Sequence, residues 1–474
     1  MTHSAAAQGA YHRYHIQTEV APDIVRWPNR FHVKVSKIGL ATHLVKEMIH
    51  YKGDRELVFS RPCIYGVFSR PVGGFAPDRK KCVGCLRCTT EAWRFVEVHR
   101  NPARERLGDS YFTATHVDAV AYEAEGGRIP VKGAGYRGKF GGAGWDGIWT
   151  DMSEIVRPTR DGIHGREFIS TVVDIGAKPD FLSFGADGEP VGVLPDTFSI
   201  PLPMLLDTPP DAVASDKVYR ILAGAAAAVH SLAVLSLDPI QRLNLIGPHV
   251  APLAAPGEIE KLAGLAFQPR MIEMAGWDEA LFEAIRARFP HAQVCLRLPF
   301  TAGEDLLQYL DKGVAVFHLT ADYHGRGPDG TFVYDLIRAA HNTFVEARAR
   351  DRVTLLGSGG VVAAEHVPKA IIAGLDAVAL DTPVLVALQA RFEGEFTARR
   401  SNNGCTLPRR LTVDWGVKRL QNMMAAWRDQ MLEILGAMGL REVRRLRGEM
   451  GRALMQKDLE REAFAGIEGY ESEA

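Results

Sequence analysis

The sequence predicts an α/β fold centred on a TIM (β/α)8 barrel, preceded by a cysteine-bearing region and followed by helices. Three observations predict it. From about residue 196 onward, eight apolar runs alternate with helical patterns. The seventh run ends in Gly357-Ser358-Gly359-Gly360, a glycine turn at the place where such barrels cradle an anion. The chain, at 474 residues, is long enough for a barrel of about 250 residues with a further domain.

In chain order, the expected strands are residues 198–203, 232–237, 243–247, 269–274, 292–298, 314–320, 353–356 and 377–380. Helical patterns at 217–229, 259–265, 277–288, 303–310, 332–350 and 364–373 separate most of them. The link from 237 to 243 is the exception, being too short for an ordinary crossover helix. A doubly wound sheet shares the alternation, but a glycine signature at the seventh of eight units favours closure. Beyond the barrel, a helix is expected at 413–436, a break at 436–439, and a final charged helix over about 442–464.

Glycines directly after a strand let backbone N–H groups approach a phosphate closely, and a following helix would add its positive end. Residues at the carboxyl ends of barrel strands are placed for chemistry. On this frame they are Met204, Asp238, His249, Glu273, Arg297, His318, Asp322, His324, Arg326 and Ser358. His318, Asp322 and His324 share the composition of a metal triad, but the pattern fits a hydrogen-bonded cluster better.

Residues 1–60 show a helical pattern at 38–51 and no chemistry. The segment 61–105 carries Cys82, Cys85 and Cys88 in the C-x2-C-x2-C spacing of a bacterial ferredoxin. Ala92 stands where a fourth cysteine would follow, so Cys63, beside Pro62, is the expected fourth ligand. The chemistry implied is a 4Fe-4S or 3Fe-4S cluster. Structural zinc is the alternative, though zinc sites pair two C-x2-C units. Cys295 lies in an apolar strand and reads as core, and Cys405 in a polar loop lacks ligand spacing. The region 106–195 is a glycine-rich connection. Its glycines at 133–138 and 141–144 read as turns, and its charged stretch at 152–167 as an ordered loop, either a lid or a packing segment. The barrel would occupy 196–395 and the helical extension 396–474.

Composition narrows the function. The 57 acidic and 56 basic residues nearly cancel, which leaves no electrostatic footprint for nucleic acid. No apolar run is long enough to span a bilayer, and no signal-peptide pattern is seen, so a cytoplasmic enzyme acting on a small molecule is expected. Six cysteines, three of them within seven residues, point to a metal centre rather than a disulfide framework.

Several stretches together resemble the FMN-binding synthase domain of glutamate synthases, in particular the short related proteins that carry an added ferredoxin-like cluster. They are VCLRL, AAHNTFVEARARDR leading into VTLLGSGG, AGLDAVALDTPVLVAL, and the tail from GVKRLQNMM to REVRRLRG, within about 292–448. The resemblance implies FMN, with Ser358, Gly359 and Gly360 at its phosphate, Asp381 and Thr382 closing that site, and Arg297 beside the flavin. With Glu273 and His318, Arg297 makes the expected catalytic set. The implied reaction reduces an imine of a 2-oxo acid with ammonia or an amine. Electrons would come from a separate reductase or ferredoxin, since no nicotinamide motif is seen. The start Met1-Thr2-His3 offers no cysteine nucleophile, so ammonia is expected from solution or from a glutaminase or other subunit. The loops LSLDPIQ, LIGPHVAP and LTADYHGRGPDG differ from the family's, as does the acidic Asp381, and ARFEGEFTARRSNNG replaces its cysteine cluster. Those departures keep two alternatives in view: a non-catalytic, degenerate subunit for electron transfer or assembly, and a barrel for another phosphorylated ligand.

Overall fold

The computed structural model describes residues 14–59, 63–69, 75–92, 94–130, 141–152, 168–178, 183–191, 197–300, 304–397 and 404–467. The expected turn at 133–138 and the loop from 153 to 167 lie outside them. The chain forms two units, one of Met1–Ile24, Ala119–Ile129 and Gly141–Ala474, the other of Val25–Asp118 and Pro130–Phe140.

The larger unit is the barrel. Its strands are β1 (Met204–Leu206), β2 (Ala233–Ser236), β3 (Val250–Ala254), β4 (Met271–Ala275), β5 (Gln293–Pro299), β6 (Val316–Thr320), β7 (Thr354–Ser358) and β8 (Ala377–Leu380). All neighbouring pairs are parallel, and β8 pairs with β1 to close the ring. Strands covered on both faces read as nearly continuous apolar runs. That is the pattern of β7 and β8, whose residues are all buried.

The crossovers are α1 (Asp216–Ala228), α2 (Leu237–Leu243), α3 (Ile259–Ala263), α4 (Glu279–Arg288), α5 (Glu304–Asp311), α6 (Val333–Glu346) and α7 (His366–Ala373), with α8 (Thr382–Ala387) after the last strand. Helix α9 (Val413–Ala437) packs on α1 across a glycine pair. A Cβ on Gly416 would lie 2.5 Å from Ile221, and one on Gly224 2.8 Å from Val417. On another face of α9, buried Arg419 donates to the carbonyls of Ala387 and Ala21, and Asn422 to that of Glu19. These bonds tie the N-terminal segment to the barrel.

Three expectations are corrected here. The run at 198–203 is not the first barrel strand: Thr197–Ile200 pairs antiparallel with Val173–Gly176, outside the ring. Pro201 and Pro203 interrupt the run, because proline cannot donate to a ladder, and β1 starts at Met204. The third strand is not 243–247. Helix α2 occupies the supposedly empty link and ends at Asn244 in the left-handed region, and β3 follows from Val250. The stretch 442–464 is not one helix. It holds two 3-10 turns, the strand Ala453–Met455 paired with Ile148–Thr150, and a helix only from Gln456 to Phe464. Gly448, at φ +75°, breaks it by packing against the ring of His341.

The smaller unit pairs strands Phe31–Val35 and Val96–Arg100 antiparallel, with Lys37–His50 helical between them and capped by Ser36. Its core gathers Val33, Val67 and Cys82 with Phe31, Val35, Cys63, Phe68 and Val98.

Candidate active site and cysteine pocket

Inside the carboxyl end of the barrel, a chain of polar side chains runs from the first strand to the seventh. Arg297 on β5 is flanked by Ala275 of β4 and His318 of β6. Its Nη1 and Nη2 donate to the two oxygens of Asp207, just beyond β1, each at 2.8 Å. Nη1 also donates to Glu273 Oε1 at 2.8 Å. The same oxygen lies 2.9 Å from His318 Nδ1, and His318 Nε2 lies 3.0 Å from Ser358 Oγ. An ionised carboxylate only accepts, so Nδ1 carries the proton toward Glu273. In the neutral ring, Nε2 then accepts from the Ser358 hydroxyl.

All of these groups are buried apart from a small part of Arg297. Burial alone would raise the Glu273 carboxyl, but His318 and Arg297 outweigh it and hold the group below its ordinary range. Burial would lower Arg297, and the charges of Asp207 and Glu273 instead push it well above its ordinary value. Glu273 Oε2 is buried with no partner among the described residues, so one strong acceptor inside the barrel stays open.

The expected site residues Arg297, Glu273, His318 and Ser358 therefore meet in one network. Gly359 and Gly360 follow at φ +103° and +74°. A Cβ on Gly359 would lie 2.5 Å from the Asp322 carbonyl oxygen, so this glycine is demanded by the neighbouring loop whatever ligand is bound. The next helix, α7, begins at His366, close to the expected start at 364, so residues 361–365 separate its positive end from the glycine turn. Across the ladder from β7, Asp381 Oδ1 accepts from the Thr382 N–H. Thr382 Oγ1 is buried without a partner among the described residues.

Other candidates fall elsewhere. Met204 begins β1 and His249 precedes β3, so both are at the amino-terminal ends of their strands. Asp238 pairs with Lys261 at the surface. Asp322 accepts the N–H groups of His324 and Arg326 and so shapes its own loop, while His318 is engaged inside the barrel. The triad is not assembled. Asp207 was missed by sequence reasoning. A charge directly after the apolar Met204-Leu205-Leu206 was the signal, hidden by the misplaced first strand.

In the smaller unit, Cys63, Cys82, Cys85 and Cys88 line one pocket. Gly84 and Leu86 stand at φ +72° and +60°, reversals that coil the C-x2-C-x2-C loop around the cavity. Gly84 is irreplaceable locally, since a Cβ there would lie 2.2 Å from the Phe31 ring. Burial raises the Cys82 thiol, against a lowering hydrogen bond from Gly84, and Cys85 and Cys63 raise it further. Burial and the other three sulfurs push Cys88 up to about 11. Cys295 and Cys405 are buried elsewhere, and burial pushes Cys405 up to about 12.

Among the described residues no helix is long and apolar enough to cross a membrane. Residues 330–441 match the family model described as "conserved region in glutamate synthase". An archaeal-type glutamate synthase [NADPH] of Dehalococcoides mccartyi is 23% identical over 433 residues, 78% of this chain and 86% of that protein. An archaeal glutamate synthase [NADPH] of Archaeoglobus fulgidus is 23% identical over 90% of this chain and 98% of its own length. That of Methanocaldococcus jannaschii reaches 33% over 133 residues, 26% of each chain. Among solved structures, a mandelate oxidase variant with an FMN adduct aligns over 72% of this chain and 91% of its own, at 15% identity and a TM-score of 0.41. The chain is thus similar to glutamate synthases, through their conserved region at 330–441 and through distant relatives aligned along most of its length.

Proposed function

We propose that this chain is a flavin- and iron-sulfur-dependent oxidoreductase of the glutamate synthase type, reducing an imine formed from a 2-oxo acid and an amine or ammonia. The observation that carries the reading is the convergence of Cys63, Cys82, Cys85 and Cys88 on one pocket, in a chain whose relatives are named glutamate synthase [NADPH]. Four thiols around one space suit a 4Fe-4S cluster, and the C-x2-C-x2-C run argues against zinc.

The barrel fits a flavin phosphate in its donor set. The left-handed Gly359 and Gly360 and the hydroxyl of Thr382, which has no partner among the described residues, lie on the two adjacent strand ends that would hold such a group. These residues would hold FMN; the cysteines would hold the cluster. The cluster supplies one-electron transfer and the flavin hydride transfer. The chain itself fixes charge and protons. Asp207 and Glu273 lock the Arg297 guanidinium in one plane at the barrel mouth. Glu273 orients His318 through Nδ1, so that Nε2 and the Ser358 hydroxyl hold a proton in a defined place. The open Oε2 of Glu273 can accept from an amine or ammonium. A separate reductase or ferredoxin would supply electrons, and a glutaminase subunit or solution ammonia the nitrogen.

Absorption spectroscopy with iron, sulfide, zinc and flavin analysis of the purified chain tests this. Flavin bands with a broad cluster shoulder are expected. Zinc in place of iron, or a chain that neither contains nor takes up flavin, would sink the reading.

A further inference from the structure

The cysteine pocket is bordered by a feature that cluster ligation does not require. Arg79, Lys80 and Lys81 form a single 3-10 turn that runs directly into Cys82, and all three are exposed. Consecutive Cα atoms are about 3.8 Å apart, so all three cations arise within about 12 Å of the Cys82 Cα. Lys81 also reaches the other ligand loop. Its Nζ would lie 3.4 Å from a Cβ on Gly66, whose N–H closes the turn on the Cys63 carbonyl. Asp78 answers Lys81 only loosely, at 3.9 Å. Two large aliphatic side chains are exposed on the same cysteine-bearing loops. Ile64, next to Cys63, is 78% exposed, and Leu86, itself lining the pocket between Cys85 and Cys88, is 38% exposed.

We propose that this rim is the docking surface for an acidic electron-carrier protein that delivers electrons to the cysteine-held cluster; it rests on the iron-sulfur reading above. Transient electron-transfer contacts are small, with an apolar centre and charges at the edge. Charge at the edge speeds encounter more than it tightens the complex. The chain as a whole is near neutral, at a formal net charge of -1, so three adjacent cations at this place are a local feature. Spread along a turn, they suit an extended anionic protein surface better than the single phosphate of a nicotinamide nucleotide. In each encounter one electron leaves the reduced carrier, which is oxidised, and enters the cluster, which is reduced.

The test uses the full chain with a bacterial-type ferredoxin of net negative charge as the probe. Binding is followed by titration against ionic strength, and cluster reduction by stopped flow, for wild type, Arg79→Gln/Lys80→Gln and Lys81→Gln. Iron content, midpoint potential and reduction by neutral photoreduced deazaflavin are measured in parallel. The expected result is intact iron and unchanged potential in the variants, with ferredoxin association about tenfold weaker or slower at low salt, converging with wild type at high salt. Unchanged ferredoxin binding and rate in variants that retain the cluster would overturn the proposal. So would loss of iron or a shifted potential that accounts for the rates, because the cations would then serve the cluster itself. Direct reduction by NADPH that falls in the same variants would assign the rim to a nucleotide instead. A wild-type chain that takes up no cluster sinks the iron-sulfur reading, and this proposal with it, a result told apart by iron analysis before any partner is added.

Discussion

Arg297 and Asp207 face each other across the barrel in a two-pronged ion pair, both guanidinium nitrogens 2.8 Å from the two carboxylate oxygens. Arg297 stands on the fifth strand and Asp207 just past the first, so the pair braces the barrel mouth across its interior. Removing one partner of a buried pair leaves a charge uncompensated, which costs more than the pair itself contributes.

Asp207→Ala should therefore lower stability by on the order of 3 kcal/mol. The bond from Arg297 to Glu273 softens the loss, so Asp207→Asn should be milder. Urea unfolding checks this: a lower midpoint at unchanged slope is expected, and an unchanged midpoint would show that the brace carries no stability.

The cysteine pocket gives a contrast between buried thiols. Cys85→Ser should abolish the brown absorbance of the reconstituted chain, while Cys295→Ser, buried within β5 away from the pocket, should leave iron unchanged. Cys63 decides the ligand set. A full four-iron cluster retained in Cys63→Ala would remove it from the four.

How much of this could be read in advance depends on which local rule the tertiary structure obeyed. The strand 377–380 was readable because Ala377-Val378-Ala379-Leu380 is apolar and bounded by Asp376 and Asp381. The third strand was not, because Pro252 sits in its middle, where proline argues against a central strand, and the apolar end of α2 imitated a strand instead. The four cysteines were visible through their spacing and a nearby Pro-Cys. Asp207 was invisible, since its role appears only when the first and fifth strands face each other across the ring. The charged tail after Gly439 read as helix by composition, yet Arg447 leaves the helical path to reach Asp376 and Asp351.

Gly359 separates a packing need from a cofactor need. It stands at φ +103°, and a Cβ there would lie 2.5 and 2.8 Å from the carbonyl oxygens of Asp322 and Ala321. Gly359→Ala should therefore destabilise the chain by on the order of 2 kcal/mol or more. This loss should be seen without any flavin present. If Gly359→Ala melts with wild type in flavin-free protein and only flavin affinity falls, the glycine serves the phosphate alone.

The base of β8 should make the barrel acid-sensitive in two steps. His341 Nδ1 accepts from Arg350 Nε, and burial and the Arg350 charge lower its pKa to about 4. Between about pH 6.5 and 4 the unfolded chain binds a proton that the folded one refuses, so stability falls as pH drops through that window. Asp376 follows at lower pH. Burial would raise it, but Arg350, Arg447 and Lys178 hold it at about 2. Its contribution is present above the unfolded value near pH 4 and is lost toward pH 2. Melting curves of wild type and His341→Gln should converge in slope above pH 7 and diverge below 6, by on the order of 2 kcal/mol after allowing for partial exposure. Parallel pH profiles for the two would remove His341 from this role.

Asp381 tests the flavin site most sharply, because its carboxylate does two opposing things. Its Oδ1 accepts the Thr382 N–H and so fixes the backbone beside the Thr382 hydroxyl, which has no partner among the described residues. Its charge also stands next to the place proposed for a phosphate dianion, which it would repel. Asp381→Asn keeps an acceptor oxygen and removes the charge. Flavin mononucleotide should then bind more tightly, by on the order of 1 kcal/mol for a partly screened pair. Riboflavin, which lacks the phosphate, should gain nothing from the same change. Thr382→Val should act in the opposite direction, weakening the phosphorylated form alone by removing a hydroxyl donor. Equal gains for both flavins in Asp381→Asn would place the phosphate elsewhere, and failure of wild type and both variants to bind either flavin would return the barrel to the non-catalytic alternative.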